Sequence, residues 1–119
     1  MKTSSFRELK VEERALLERL LSTDFPGKEE LLVQIRHCLV RGIDEDGSLE
    51  FDVQTTVDVP NVKRGVLTEG EFYDTDGGIA HVLLHVVDGK VKELEFYKQD
   101  GSTVRGIPAP MNVEVFAQN

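Results

Sequence analysis

The sequence predicts an α+β fold, with two N-terminal helices packed on one face of a five- or six-stranded antiparallel sheet. Three observations carry that expectation. Apolar residues recur at helical spacing only as far as residue 37, strict alternation takes over from residue 48, and Asp-Gly pairs at 46/47, 76/77, 88/89 and 100/101 mark where strands must reverse. A chain of 119 residues, 39% hydrophobic and 30% charged, has the composition of a globular protein and the length for one core, so we expect a single domain over 1–119.

The first helix is expected over about residues 11–22. Leu16, Leu17, Leu20 and Leu21 recur at i, i+4, while Glu12, Glu13, Arg14, Glu18 and Arg19 take the other positions. Thr23-Asp24-Phe25-Pro26-Gly27 interrupts the pattern, since proline is excluded from a helix interior. A second helix follows over about 27–37. Glu29 and Glu30 suit the positive end of its dipole, Leu31, Leu32 and Ile35 form its apolar stripe, and Arg36 and His37 close it.

The sheet is expected over about 38–117. Between residues 48 and 59, Leu49, Phe51, Val53, Thr55, Val57 and Val59 alternate with Ser48, Glu50, Asp52, Gln54, Thr56 and Asp58, the signature of a strand with one wet face. Residues 38–44, 66–73, 79–87 and 91–98 read as further strands, and 111–117 as an edge strand.

Two segments, EFYDTDGG from Glu71 and EFYKQDGS from Glu95, repeat one layout 24 positions apart. Alternation places Val66, Thr68, Phe72, Leu94 and Phe96 inward, with Ala80, Val82, Leu84 and Val86 between them. Requiring opposed residues to share a face then sets the register. A three-residue loop at 88–90 opposes Val87 to Val91, His85 to Glu93 and His81 to Tyr97. A five-residue loop at 74–78 opposes Tyr73 to Ile79 and Glu71 to His81. The repeat is therefore a hairpin device whose outer face displays Glu69, Glu71, Tyr73, His81, His85, Glu93, Glu95 and Tyr97. Both tyrosines of the chain lie there. Tyrosine is enriched in interface hot spots, so we take these eight residues as the candidate partner-binding set, the alternative being a charged sheet face that meets only solvent.

Charge is divided unevenly along the chain. Residues 1–43 hold eight Lys/Arg and seven Asp/Glu, net +1, whereas residues 44–119 hold six and fifteen, net −9. Such a field repels a phosphate backbone and steers basic proteins inward, so the expected partner is a basic protein and not nucleic acid. No catalytic set is expected. Adjacent His37 and Cys38 point apart, there is no glycine-rich phosphate loop, and lone Cys38 reads as a small buried hydrophobe in a reducing compartment. No metal site or cofactor is expected either. His81 and His85 are separated by about 13 Å along a strand. The acidic runs at 44–47 and 74–77 resemble calcium-loop fragments, but their registers put Val53 or Leu83 where a bidentate glutamate is needed. The sequence has no apolar run of 18 residues and no charged-then-apolar leader, which points to a cytoplasmic protein with no membrane association.

With FRELKVEERALLERLL leading into the first helix, DEDGSLEF at the first hairpin and LLHVVDGKVKELEFYKQDGS later, the chain resembles a family of small acidic bacterial proteins of uncharacterised function over about residues 6–108. Where similar families have Ser or Thr capping the first helix, this chain has Lys10. In size, charge and compartment it also resembles the immunity proteins of contact-dependent inhibition and polymorphic-toxin systems. That resemblance implies a cofactor-free, non-enzymatic protein that neutralises a basic toxin domain, often a nuclease, by binding it. The alternative expectation is a housekeeping or regulatory module that binds a small ligand or self-associates, as a monomer or weak homodimer.

Overall fold

The computed structural model describes residues 5–117. Helices α1 (Val11–Leu20) and α2 (Lys28–Arg36) precede strands β1 (Cys38–Gly42), β2 (Leu49–Val53), β3 (Arg64–Tyr73), β4 (Ile79–Val87), β5 (Lys90–Lys98) and β6 (Glu114–Ala117), the last entered through a 3-10 turn at Pro110–Asn112. The strands form one antiparallel sheet in the order β1-β2-β5-β4-β3-β6. The fold is α+β, as the change of period predicts.

Both helices start without a Ser or Thr cap. At α1 the Glu13 carboxylate accepts the Lys10 backbone N–H at 2.9 Å, satisfying one orphan donor of the first turn. Arg7 then donates to both oxygens of Glu13, at 2.8 and 3.0 Å. Burial alone would raise the Glu13 carboxyl, but Arg7 and the Lys10 N–H outweigh it and hold it below its ordinary value. The same Arg7 backbone exchanges two hydrogen bonds with Val40, covering the outer edge of β1 at that position.

The core lies between the helices and one sheet face. Leu16, Leu17, Leu20, Leu31 and Ile35 meet Val40, Phe51, Phe72, Ala80, Val82, Leu84, Val86, Leu94 and Phe96, all buried. Phe72 and Phe96, the apolar members of the repeat, approach edge-to-face with centroids 6.4 Å apart.

Four sequence expectations change in detail. Alternation continues to Val59, yet β2 ends at Val53. Its partner β1 begins at Cys38, opposite Val53, because α2 holds the preceding chain. After one last bond from Gln54 N–H to His37 O, residues 55–59 have no strand to pair with, although Val59 still reaches the core. At the β4–β5 turn the loop has two residues rather than three. Asp88 and Gly89 both take positive φ, 51° and 79°, as a primed hairpin turn demands, and Val87 pairs with Lys90. A bulge between His85 and Val86 absorbs the extra residue and restores the expected pairs His85–Glu93, Leu84–Leu94 and His81–Tyr97. In β3 a second bulge between Val66 and Thr68 turns Val66 outward, opposite His85. The edge strand is shorter than 111–117, since residues 110–112 form the 3-10 turn.

The repeat has one further consequence for packing. The residue after each tyrosine, Asp74 or Lys98, points inward, and the two side chains pair at 3.0 Å, each 1% exposed. Lys98 also bonds Asp76, and Asp74 accepts the Arg105 N–H at 2.7 Å. One buried ammonium thus ties the end of β5 to the β3–β4 turn and to the loop after β5. The Lys98 hydrogen bond, helped by the Gly78 N–H, lowers Asp76 from 3.8 to about 2. A lowered carboxyl stabilises the fold above its unfolded value and loses that contribution as pH falls toward its folded value. We therefore expect stability to drop between about pH 4 and pH 2, with a carboxyl NMR titration of Asp76 centred at about 2. A midpoint near 3.8 would show that Lys98 does not hold Asp76 in solution.

Candidate functional site

The face of the sheet opposite the helices is built from rows of residues that the register places side by side. One row reads Glu114–Glu71–His81–Tyr97 across β6, β3, β4 and β5, and the next reads Phe116–Glu69–Leu83–Glu95. A third, Val66–His85–Glu93–Glu50–Arg41, runs across β3, β4, β5, β2 and β1. All eight sequence-derived candidates therefore share this face: Glu69, Glu71, Tyr73, His81, His85, Glu93, Glu95 and Tyr97. Eclipsed alternation on adjacent antiparallel strands produces this arrangement, since every second residue of each strand must leave the core.

Glu50, Asp52, Glu114 and Phe116 also belong to the face and were absent from the sequence-derived set. The signal for the last two was the alternation of Val113 and Val115 with Glu114 and Phe116. Val113 is buried, so the parity of β6 was legible once it was taken as a strand. Glu50 sat at a polar position of an alternating strand, but its neighbour on β5 could not be assigned without the order of strands.

Seven carboxylates occupy the face: Glu50, Asp52, Glu69, Glu71, Glu93, Glu95 and Glu114. Two of the nearby cations, Arg41 and Lys92, bond Glu50, at 2.8 and 3.4 Å. Those contacts, Arg41 first, hold the Glu50 carboxyl below its ordinary value. Glu93, directly opposite Glu50, behaves in the other sense. Burial raises it, His85 works against the rise, and Glu95, Asp44 and Glu50 add to it. Two neighbouring carboxylates are thus shifted in opposite directions, Glu50 downward by Arg41 and Glu93 upward by burial.

The histidines pair with carboxylates across strands. His85 Nε2 donates to Glu95 Oε1 at 2.8 Å, a diagonal neighbour rather than the directly opposed Glu93. His81 stacks on Tyr97 with centroids 4.8 Å apart and lies 3.9 Å from Glu71. Among the described residues no group of three or more His, Cys, Asp and Glu side chains is placed to hold a metal ion. The acidic turns spend their oxygens on backbone: Asp44 Oδ1 accepts Asp46 and Ser48 N–H, and Asp46 Oδ1 accepts Val104 N–H. Cys38 is only half-buried, yet burial still raises its thiol to about 11, so the thiolate that nucleophilic chemistry requires is scarce.

Exposed aromatic surface accompanies the charge. Tyr73 is 76% exposed, Tyr97 41% and Phe116 43%. An acidic face with exposed rings is suited to contact with another macromolecule.

A family model described as a domain of unknown function, DUF6984, matches residues 6–108. The chain belongs to the DUF6984 family. The match includes α1, α2 and β1 to β5, and so the central part of the acidic face, whereas β6 lies beyond it. No curated protein and no solved structure matches this DUF6984 chain. In it, no helix among the described residues is long and apolar enough to cross a membrane.

Proposed function

We propose that this protein is a non-enzymatic, immunity or antitoxin-like inhibitor that binds a basic toxin domain, of nuclease type, through the outer face of its sheet. The observation that supports this reading most directly is the gathering of seven carboxylates and three exposed aromatic rings on one face. A nuclease domain must present a cationic surface to a phosphate backbone, and an acidic face competes for that surface. The net −9 of residues 44–119 adds long-range steering, which speeds encounter at low salt.

The test is capture from lysate of the source bacterium, with neighbouring genes co-expressed, followed by growth rescue against the captured protein. A basic toxin domain should be retained at low salt and weakened as salt rises. Co-expression should restore growth. Replacing Glu71, Tyr73, Glu93 and Tyr97 together with Ala should weaken binding at least about tenfold, the scale of losing one or more interface anchors. Unchanged affinity in that variant would remove this face from the interface.

A further inference from the structure

At one corner of the acidic face, the end of β3 and the start of β6 enclose a depression of about 150 Å³ lined by Glu71, Phe72, Tyr73, Ile79, Asn112 and Glu114. Its size decides what class of ligand it suits. Small-molecule sites run to about 300–1,000 Å³, so this one accommodates a side-chain headgroup and not a whole metabolite. Its chemistry is cationic in preference. Glu71 and Glu114 are direct cross-strand partners, and like charges so placed repel one another and destabilise the pair. Among the described residues Glu71 has one ion-pair contact, with His81, whose Nδ1 lies 3.9 Å from Glu71 Oε2. Glu114 has no ion pair among the described residues. Tyr73, 76% exposed, places an aromatic ring beside the two carboxylates.

We infer that this depression is the anchoring point for an arginine of the basic partner, a refinement that rests on the docking reading above. Arginine fits the depression better than lysine for a geometric reason. The planar guanidinium offers several N–H donors, enough to engage Glu71 and Glu114 together, while its face stacks on Tyr73. An ammonium can bridge two carboxylates, as Lys98 does, but it has no planar face to stack on a ring while doing so. Asn112 also lines the depression and brings a polar residue to it. A guanidinium bound there also cancels the repulsion between Glu71 and Glu114. It thereby recovers free energy that the unbound sheet forgoes.

The probes are two peptides of equal length and charge, one alternating glycine with arginine and the other alternating glycine with lysine. Each is titrated into the full-length protein and followed by backbone amide NMR. The arginine peptide should bind about threefold tighter, the scale of an exposed cation–π contact, with shifts concentrated at Tyr73, Asn112 and Glu114. Glu114→Gln should bring the two affinities together, whereas Glu29→Gln on α2 should leave their ratio unchanged. Equal affinities, or shifts centred on Glu50 and Glu93, would overturn the anchor while leaving the acidic docking face in place. If neither peptide shifts any residue of the outer face, both the anchor and the docking reading fall.

Discussion

Gln34→Leu is expected to destabilise the fold by about 3 kcal/mol, a large share of the roughly 5–15 kcal/mol that holds such a domain together. Gln34 is fully buried in the apolar stripe of α2, and both its amide N–H groups and its amide oxygen are bonded. Nε2 donates to Val57 O and to Gly89 O, each at 2.8 Å, and Oε1 accepts Val91 N–H at 2.8 Å. Those three bonds join α2, the strandless segment 54–59 and the primed turn between β4 and β5. Leucine matches the volume and supplies none of the bonds. Gly89 O keeps the Val59 N–H, and Val57 is near enough to the surface for water to help, but Val91 N–H is left buried without an acceptor. A stranded buried donor costs about 1–3 kcal/mol, and the two lost carbonyl contacts add to it. Urea unfolding should show a lower midpoint at an unchanged slope, since the exposed area on unfolding is the same. A loss below about 1 kcal/mol would mean that these backbone groups find other partners and that Gln34 is a packing residue only.

The same residue marks the limit of what could be read from the sequence. Periodicity locates the core-facing stripe of α2, but a glutamine inside that stripe reads as a helix-surface residue until the turn it holds is in place. Its partners are 23, 55 and 57 residues away in the chain. Register was legible because it follows from a parity rule: opposed residues must share a face, and that rule alone gives Glu71–His81, His85–Glu93 and Tyr73–Ile79. Bulges were not legible, because each trades one residue of parity for a local kink and leaves no residue type behind. The rule therefore assigned a three-residue loop where the chain has a two-residue turn plus a bulge, and it sent Val66 inward. Lys98 shows the opposite case. Parity places it beside Leu94 and Phe96 on the inner side, where a charge without a partner is costly. Only the fold brings Asp74 and Asp76 to it. The candidate face was legible as a set of outward positions on three strands. Its full width was not, because the contributions of β2 and β6 depend on the order of strands.

Gly70→Ala is expected to cost about 1–3 kcal/mol, and Gly70→Val more, even though φ at this position suits any residue and alanine would restrict the unfolded chain favourably. The reason is space on the inner face of β3. A Cβ at Gly70 would lie 2.6 Å from Val113 Cγ1 and 3.1 Å from both Leu20 Cδ2 and Val82 Cγ1. The Leu20 methyl is the far end of a flexible side chain and can turn aside. Val113 is short, stiff at χ1 and buried, and its carbonyl is gripped by Arg19 through Nε at 3.1 Å and Nη2 at 2.8 Å. Relief must therefore come from moving Val113 and the chain that follows it, which is β6. That movement carries Glu114 and Phe116 away from Glu71 and Glu69, so the outer face should open at its β6 edge as the core is overfilled. Removing the obstacle tests this directly. Val113→Ala alone should leave a cavity and cost about 2 kcal/mol, while the double variant should cost less than the two single losses together by on the order of 1 kcal/mol. Amide hydrogen exchange in β6 should rise in Gly70→Ala and recover in the double variant. Strictly additive losses, or unchanged exchange in β6, would mean that Val113 does not limit the space at Gly70 and that the glycine serves some other need of the strand.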